Sequence, residues 1–324
     1  MNILVTGARG FVGRGLLTVL AAGGHCGTAT GRVAPSHLPA GWRGMSRHEL
    51  LSGGSEGGSE AHAIEAIVHL EVKQHCPRPT LADAHAFTTV NVGGTQAWLD
   101  WAAIHGVRRF VYVSSIKAVA PCSDRQFEDA PLAPDTPYGQ SKALAERAVR
   151  QWAGEDRLRS AMILRPAPVY GPGNEANLSA FVRQILAGKP SLVGRGETQK
   201  SVVSRMNLAA AIEFVATQQA TGCEVFNVSD SDTLSLSQLA ALIAEISEAP
   251  APKRIPSLLA RCVAPLGDMM SLLTGRDFPL TTARLRAIHE TSIFPCDKLV
   301  AAGFSHRQST REGISEMLTW MHKQ

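Results

Sequence analysis

The first 22 residues constrain the fold more than any other stretch. Asn2-Ile-Leu-Val-Thr6 reads as a short buried strand, Gly7-Ala-Arg-Gly10-Phe-Val-Gly13 as a tight turn, and Arg14–Ala22 as a helix. Glycines at every third position let backbone approach a pyrophosphate, which settles on the helix N-terminus. A glycine motif alone is weak, and it gains specificity here from standing between a strand and a helix.

Strands and helices then alternate. Cys26–Thr30 reads as a second strand, Ala66–Leu70 as a third, Asp83–Asp100 as a helix and Val107–Ser115 as a strand. Gly139–Trp152 follows as a helix and Ala161–Leu164 as a strand. Residues 33–63 carry little pattern, and the Gly/Ser-rich Ser52–Glu60 reads as a surface loop. Such alternation predicts an α/β fold, a doubly wound parallel sheet. Beyond Arg165 the texture changes to helices near 178–187, 208–217, 235–247, 257–273 and 311–322, with one strand, Glu224–Ser229. The expected division is a Rossmann dinucleotide-binding domain over 1–165, rejoined by 206–229. A smaller mixed substrate-binding part, 166–205 and 230–324, caps the carboxyl edge of the sheet, where ligands bind in such folds.

Composition narrows the function. The 324-residue chain carries a net charge of only +4 and has no dense basic run with interleaved aromatics, so no nucleic-acid partner is expected. Six scattered cysteines form no C-x-x-C pair, and neither a metal site nor a disulfide framework is expected. No apolar run reaches the length of a membrane span, and the strand starting at Asn2 is read as leaving no room for a signal peptide. Together these predict a cytoplasmic protein without membrane insertion.

The chemistry centres on Tyr138-Gly-Gln-Ser-Lys142. Tyrosine and lysine four apart on a helix share a face. The ammonium is expected to lower the phenol's pKa toward the working pH. Upstream, Phe110-Val-Tyr-Val-Ser-Ser115 is a strand ending in paired serines. At the end of the second strand, where an acid would bond a ribose 2′-hydroxyl, stand Gly31 and Arg32. With Arg9 in the glycine turn, this favours NADP(H) while leaving NAD(H) open.

Taken together, these residues resemble the extended short-chain dehydrogenase/reductases, in particular the NAD(P)-dependent nucleotide-sugar epimerase/dehydratase family. Thr6–Gly13 resembles its cofactor turn, Asn91-Val-Gly-Gly-Thr95 its N-V-x-G-T helix, and Leu164-Arg-Pro-Ala-Pro-Val-Tyr-Gly-Pro-Gly173 its L-R-P-x-x-V-Y-G-P-G loop. Ser115, Tyr138 and Lys142 fall where its catalytic residues belong. The resemblance implies cofactor contacts from Gly7, Arg9, Gly10, Phe11, Val12, Gly13, Arg32, Leu70, Asn91, Tyr138, Lys142, Pro166 and Val169. Ser-Ser-Ile-Lys117 and Gly173-Asn-Glu-Ala-Asn177 are similar to UDP-hexosamine 4-epimerases and 4-ketoreductases of polysaccharide synthesis. That similarity implies UDP-sugar contacts from Ser115, Lys117, Asn177 and Lys200.

Two positions depart from the family pattern. Glu71 stands where relatives have small residues, and must turn outward, pair with a cation or weaken cofactor binding. No Asp-hydrophobe pair is evident near His48-Glu49-Leu50. A non-catalytic or weakly active cofactor-sensing paralogue is therefore the rival reading. Ile116-Lys117, in place of an acidic pair, argues against a 4,6-dehydratase. The family also implies a homodimer through the helices after Asn91 and Tyr138, with Ala97, Trp98, Trp101, Ala102, Ala145, Ala148 and Trp152 as the apolar surface.

Overall fold

The computed structural model describes residues 1–53, 64–74, 79–122, 124–174, 177–274, 278 and 280–323. Most of the Gly/Ser-rich stretch and the side chain of Asn177 lie outside the described part.

Seven parallel strands form the centre. They are β1 (Asn2–Thr6), β2 (Cys26–Gly31), β3 (Trp42–Ser46), β4 (Ala66–His69), β5 (Arg109–Val113), β6 (Ser160–Pro166) and β7 (Gly222–Val228), in the order β7-β6-β5-β4-β1-β2-β3. Each is paired in parallel with its neighbours. The order reverses between β1 and β4, and the crevice beyond their carboxyl ends is the ligand position of a Rossmann sheet.

Side-chain alternation explains why both faces are covered. Ile3 and Val5 point into a core with Leu16 and Leu20 of the first helix (Phe11–Ala22) and Leu208 and Ile212 of Arg205–Thr217. Leu4 points the other way, into a core with Trp98, Leu99, Val149 and Trp152. Strands buried on both faces read as continuous apolar runs, which is why β1 and β4 were legible. β3 was not. Trp42-Arg-Gly-Met-Ser46 is an edge strand with a half-exposed, mixed sequence.

The helix read over 83–100 runs further. Leu81–Ala86 passes through a π-turn, Phe87–Gly93, into Gly94–Ile104. π-turns of this kind often mark functional sites, and this one holds Asn91. The tyrosine helix spans Pro137–Gly154, with Pro137 in its first turn and Thr136 as N-cap, accepting from the Gly139 amide at 3.1 Å.

The proposed dimer surface needs correction. Trp98, Trp101, Ala102, Ala145 and Trp152 are buried within the single chain, and Ala97 and Ala148 are half-buried. They pack on the sheet, because a parallel sheet must bury both faces. The large apolar side chains these two helices expose are Ile104 and Leu144.

After β6 the chain builds a second core. Tyr170 of the short strand Val169–Tyr170 meets in it Val182, Leu239, Ile243, Ile314 and Met317 from the helices Asn177–Leu186, Leu236–Ile246 and Thr310–His322. A helical hairpin, Ser257–Thr274 and Thr282–His289, packs at its side around Val193, Ala260, Ala264 and Leu285. No described helix is long and apolar enough to cross a membrane.

Candidate active site

The glycine turn is built as a phosphate cradle. Gly7 takes φ +64, and a Cβ there would meet the Leu70 carbonyl carbon and the Glu71 nitrogen, each at 2.8 Å. A Cβ on Gly13 would strike the Gly7 oxygen at 2.6 Å. The helix then starts at Phe11 behind Gly10, with no side chain capping it. The N-terminus thus offers bare N–H groups to a pyrophosphate, and the chain fits a dinucleotide here. Val12 is half-buried behind the turn, and the Arg205 guanidinium lies 5.4 Å over the Phe11 ring.

Arg9 and Arg32 are exposed, and the Arg9 stem lies 3.8 Å from where a Gly31 side chain would begin. Gly31 leaves that room open at the carboxyl end of β2.

Glu71 does not face the cradle unpaired. Its two oxygens accept from Arg47 at 3.0 Å and from the Trp98 indole at 3.1 Å. Among the options the sequence left open, pairing with a cation is the one realised. Arg47 comes from just after β3, in the stretch that sequence reading could not resolve.

The backbone behind Glu71 hangs on a threaded hydrogen-bond line. The Leu70 and Glu71 amides donate to Thr6 Oγ1, which meets His69 Nδ1 at 2.7 Å. His69 Nε2 meets Thr95 Oγ1 at 3.1 Å, and Thr95 donates to the Asn91 carbonyl at 2.6 Å. Since Thr95 has given its proton away, Nε2 carries the imidazole hydrogen and Nδ1 accepts from Thr6. That line requires neutral histidine. Burial foremost, then the charges of Lys142 and Arg47, lower the His69 pKa to about 3. The unfolded chain takes up this proton near pH 6.5, and the folded one does not until about 3. Stability must therefore fall with falling pH across that window, by about 1.4 kcal/mol per pH unit from this group alone. His69→Gln is expected to flatten that part of the stability–pH curve in chemical denaturation. An unchanged slope would show that other groups set it.

Asn91, expected at the cofactor, has its side-chain amide engaged inside the protein. Oδ1 accepts from the Lys73 amide at 2.7 Å, and Nδ2 donates to Ser141 Oγ at 2.9 Å and to the Lys73 carbonyl at 3.3 Å. Ser141 in turn donates to the Tyr138 carbonyl at 2.7 Å. Asn91 thus pins the loop after β4 to the first turn of the tyrosine helix, and acts on Tyr138 by position.

Ser115, Tyr138 and Lys142 converge. Ser115 caps a short turn by accepting from the Lys117 amide at 3.1 Å, and its hydroxyl also hydrogen-bonds the Tyr138 phenol. The strand-end cap and the partner of the Tyr138 phenol are therefore one residue. Lys142 is buried, donates to the Val113 carbonyl at 2.8 Å and sits 4.5 Å over the Tyr112 ring. Leu70 and Val169 border the crevice half-buried, while Pro166 is buried at the end of β6.

Burial works against the expected lowering of the Tyr138 phenol. Burial pushes the Tyr138 phenol up to about 12, against the pull of Ser115. Burial also draws Lys142 down to about 7, with Glu146 opposing. A lysine that is itself half-discharged near neutrality, and turned to Val113 and Tyr112, cannot supply the full cation that proximity in sequence suggested.

Lys117 is exposed and lies close enough to Lys200 to lower its pKa, second to burial. Lys200 Nζ donates to the Ala287 carbonyl at 2.8 Å and to that of Glu290. It therefore ties down the C-terminal end of Thr282–His289 while contributing its charge beside Lys117.

Sequence reading missed Glu146 and Arg165 as a pair. Glu146 accepts from Arg165 at 3.0 and 2.8 Å and from Ser114 Oγ at 2.6 Å, all buried. Glu146 stands four residues after Lys142, so helical spacing from Tyr138 through Lys142 would have found it.

Known proteins share the sequence pattern and the fold of this chain. A model of the NAD dependent epimerase/dehydratase family matches residues 3–229. The chain is 27% identical to N-acetyl-alpha-D-glucosaminyl-diphospho-ditrans,octacis-undecaprenol 4-epimerase of Escherichia coli O157:H7, across 98% of this chain and 95% of that one. It is 30% identical to dTDP-glucose 4,6-dehydratase of Streptomyces griseus across 76% of this chain and 79% of that one. Among solved structures, it superposes on MoeE5 in complex with UDP-glucose and NAD with a TM-score of 0.75, at 23% identity, covering 100% of this chain and 99% of that one. UDP-glucuronic acid 4-epimerase from Bacillus cereus, in complex with UDP-glucuronic acid and NAD, gives a TM-score of 0.76 at 17% identity with the same coverage.

Proposed function

The chain belongs to the NAD-dependent epimerase/dehydratase family, and from that premise we propose that it interconverts the C4 configuration of a hexose carried on a diphosphate. The leading substrate class is a UDP-sugar, with a hexosamine favoured, for polysaccharide precursor synthesis. The observation that carries this is the convergence of Ser115, Tyr138 and Lys142 at the carboxyl edge beside the glycine cradle. The 4-epimerase relative aligned over 98% of the chain supports epimerisation. Ile116, buried in a small apolar cluster with Val119 and Phe294, supports a site without an elimination acid at that position.

In this reading a nicotinamide held at the glycine cradle would supply the hydride acceptor and donor for sugar C4, and its oxidised ring would add a positive charge near Tyr138. Tyr138 holds the proton exchanged with the C4 oxygen. Ser115 hydrogen-bonds the same oxygen and orients it, and its bond to Tyr138 favours the phenolate. Lys142, which donates to the Val113 carbonyl at 2.8 Å, would hold the ribose of a bound cofactor. Lys117 and Lys200 neutralise the diphosphate, as point charges that tolerate more than one nucleotide or carrier. Glu71, closed onto Arg47 and Trp98, adds no unpaired charge at the phosphates, which weakens the case for a non-catalytic paralogue.

Arg9 and Arg32 support NADP(H) over NAD(H), which would suit a single 4-keto reduction as well as epimerisation. The expected difference is about 1.5–3 kcal/mol, the worth of charge-assisted hydrogen bonds to the 2′-phosphate. Titrating both cofactors into wild type and Arg32→Ala tests it. An NAD(H) preference that persists in Arg32→Ala rejects it.

A further inference from the structure

The helix Ser257–Thr274 is inside out. Its buried stripe is Ala260, Ala264, Gly267 and Ser271, and a Cβ on Gly267 would come within 1.9 Å of the Leu280 oxygen. Small residues thus clamp it flat against the start of Thr282–His289. The large apolar residues point outward. Leu258, Leu272 and Leu273 are 76%, 84% and 75% exposed, and Leu259, Leu266 and Met269 are exposed with them. At 3.6 residues per turn these six cover about 140° of the circumference, and no charged residue falls between them. Monomeric soluble proteins seldom leave such a patch uncovered.

The surroundings indicate what covers it. Arg261 stands at one border of the apolar arc, and Lys253, Arg254 and Arg284 are exposed on the flanking segments, while Arg286 pairs with Glu290 at 2.7 Å. The acid at that border, Asp268, is turned inward to accept from the Thr282 amide at 3.2 Å. An apolar helix face with basic flanks and too little length or hydropathy to span suits the boundary of an anionic bilayer. A second copy of this chain would set the same basic rims against each other. The hairpin is also fastened to the substrate end of the molecule, since Lys200 holds its second helix through Ala287.

We propose that this hairpin docks peripherally on an anionic lipid bilayer, placing the crevice within reach of a sugar diphosphate carried on a lipid. The second clause rests on the functional reading above, and the docking itself does not. The test is flotation of the full-length protein with phosphatidylglycerol/phosphatidylethanolamine vesicles and with phosphatidylcholine vesicles. Wild type is expected to float with the anionic vesicles, and less with phosphatidylcholine or in high salt. The variant Leu266→Ser/Leu272→Ser/Leu273→Ser is expected to lose about tenfold or more of that partition, since burial of apolar area drives it. It should keep wild-type circular dichroism, and the same turnover of any soluble UDP-sugar that wild type uses. Wild type remaining in the aqueous fraction, or equal flotation of the variant, overturns the proposal. So does light scattering that shows a wild-type dimer becoming a monomer in the variant, which would assign the face to a second copy. Flotation without turnover of any sugar diphosphate leaves the docking standing and removes the functional reading.

Discussion

Tyr138→Phe is expected to lower kcat by about 10²–10⁴-fold while leaving sugar-diphosphate affinity nearly unchanged, because positioned general acid–base catalysis contributes that much. The phenylalanine ring keeps the edge contact to Phe87, whose centroid lies 5.9 Å away, so the pocket shape survives and only the proton carrier is lost. The Tyr138 phenol, held up to about 12 by burial, is a proton donor at neutral pH. Oxidation of the sugar needs the phenolate, so the loaded protein must lower that value. The pH profile of the oxidation step should therefore show an ionisation well below that of free tyrosine, absent from Tyr138→Phe. Wild-type turnover in Tyr138→Phe would place the chemistry elsewhere.

Glu146→Leu should be the most destabilising single change near the site, by about 3–5 kcal/mol in denaturant unfolding, because it strands the fully buried Arg165 guanidinium without its partner. Arg165→Leu should cost less, because Glu146 keeps Ser114 at 2.6 Å and Arg150 at 3.9 Å. The double variant should recover most of the loss, as replacing both charges by apolar groups does in other buried pairs. Glu146 is 0% and Arg165 1% exposed, and Arg165 also reaches the Glu128 carbonyl at 3.0 Å. The pair joins the ends of β5 and β6 to the middle of the tyrosine helix, one turn beyond Lys142. Glu146 opposes the fall of the Lys142 pKa, so Glu146→Gln should move that group below about 7. Additive costs in the double variant would show that the two side chains do not act as a pair.

Much of this architecture was legible in sequence because the parallel sheet is buried on both faces. β1, β4, β5 and β6 announce themselves as apolar runs, and the spacing from Tyr138 to Lys142 fixes a shared helical face. The edge strand Trp42–Ser46 and the helix Arg47–Ser52 were lost to a mixed pattern, and with them Arg47, the partner of Glu71. Sequence also assigned Trp98, Trp101 and Trp152 to a surface, where apolarity alone could not separate a dimer face from the sheet-facing side. The Asn91 amide was misread for a different reason. Its two hydrogen-bond partners, Lys73 and Ser141, are 18 and 50 residues away, and no local pattern reveals so distant a pairing. Likewise, the Tyr138–Lys142 spacing is a local pattern, but the burial that raises one pKa and lowers the other depends on elements far along the chain.

The most direct test of the central claim is nuclear magnetic resonance of a UDP-N-acetylhexosamine incubated with the loaded wild-type protein in deuterated water, with Tyr138→Phe alongside. The expected result is the 4-epimer with protium retained at C4, no net change in cofactor oxidation state, and no product from Tyr138→Phe over the same interval. Failure to alter C4 of any diphosphate-linked hexose, or equal product from Tyr138→Phe, would contradict the account.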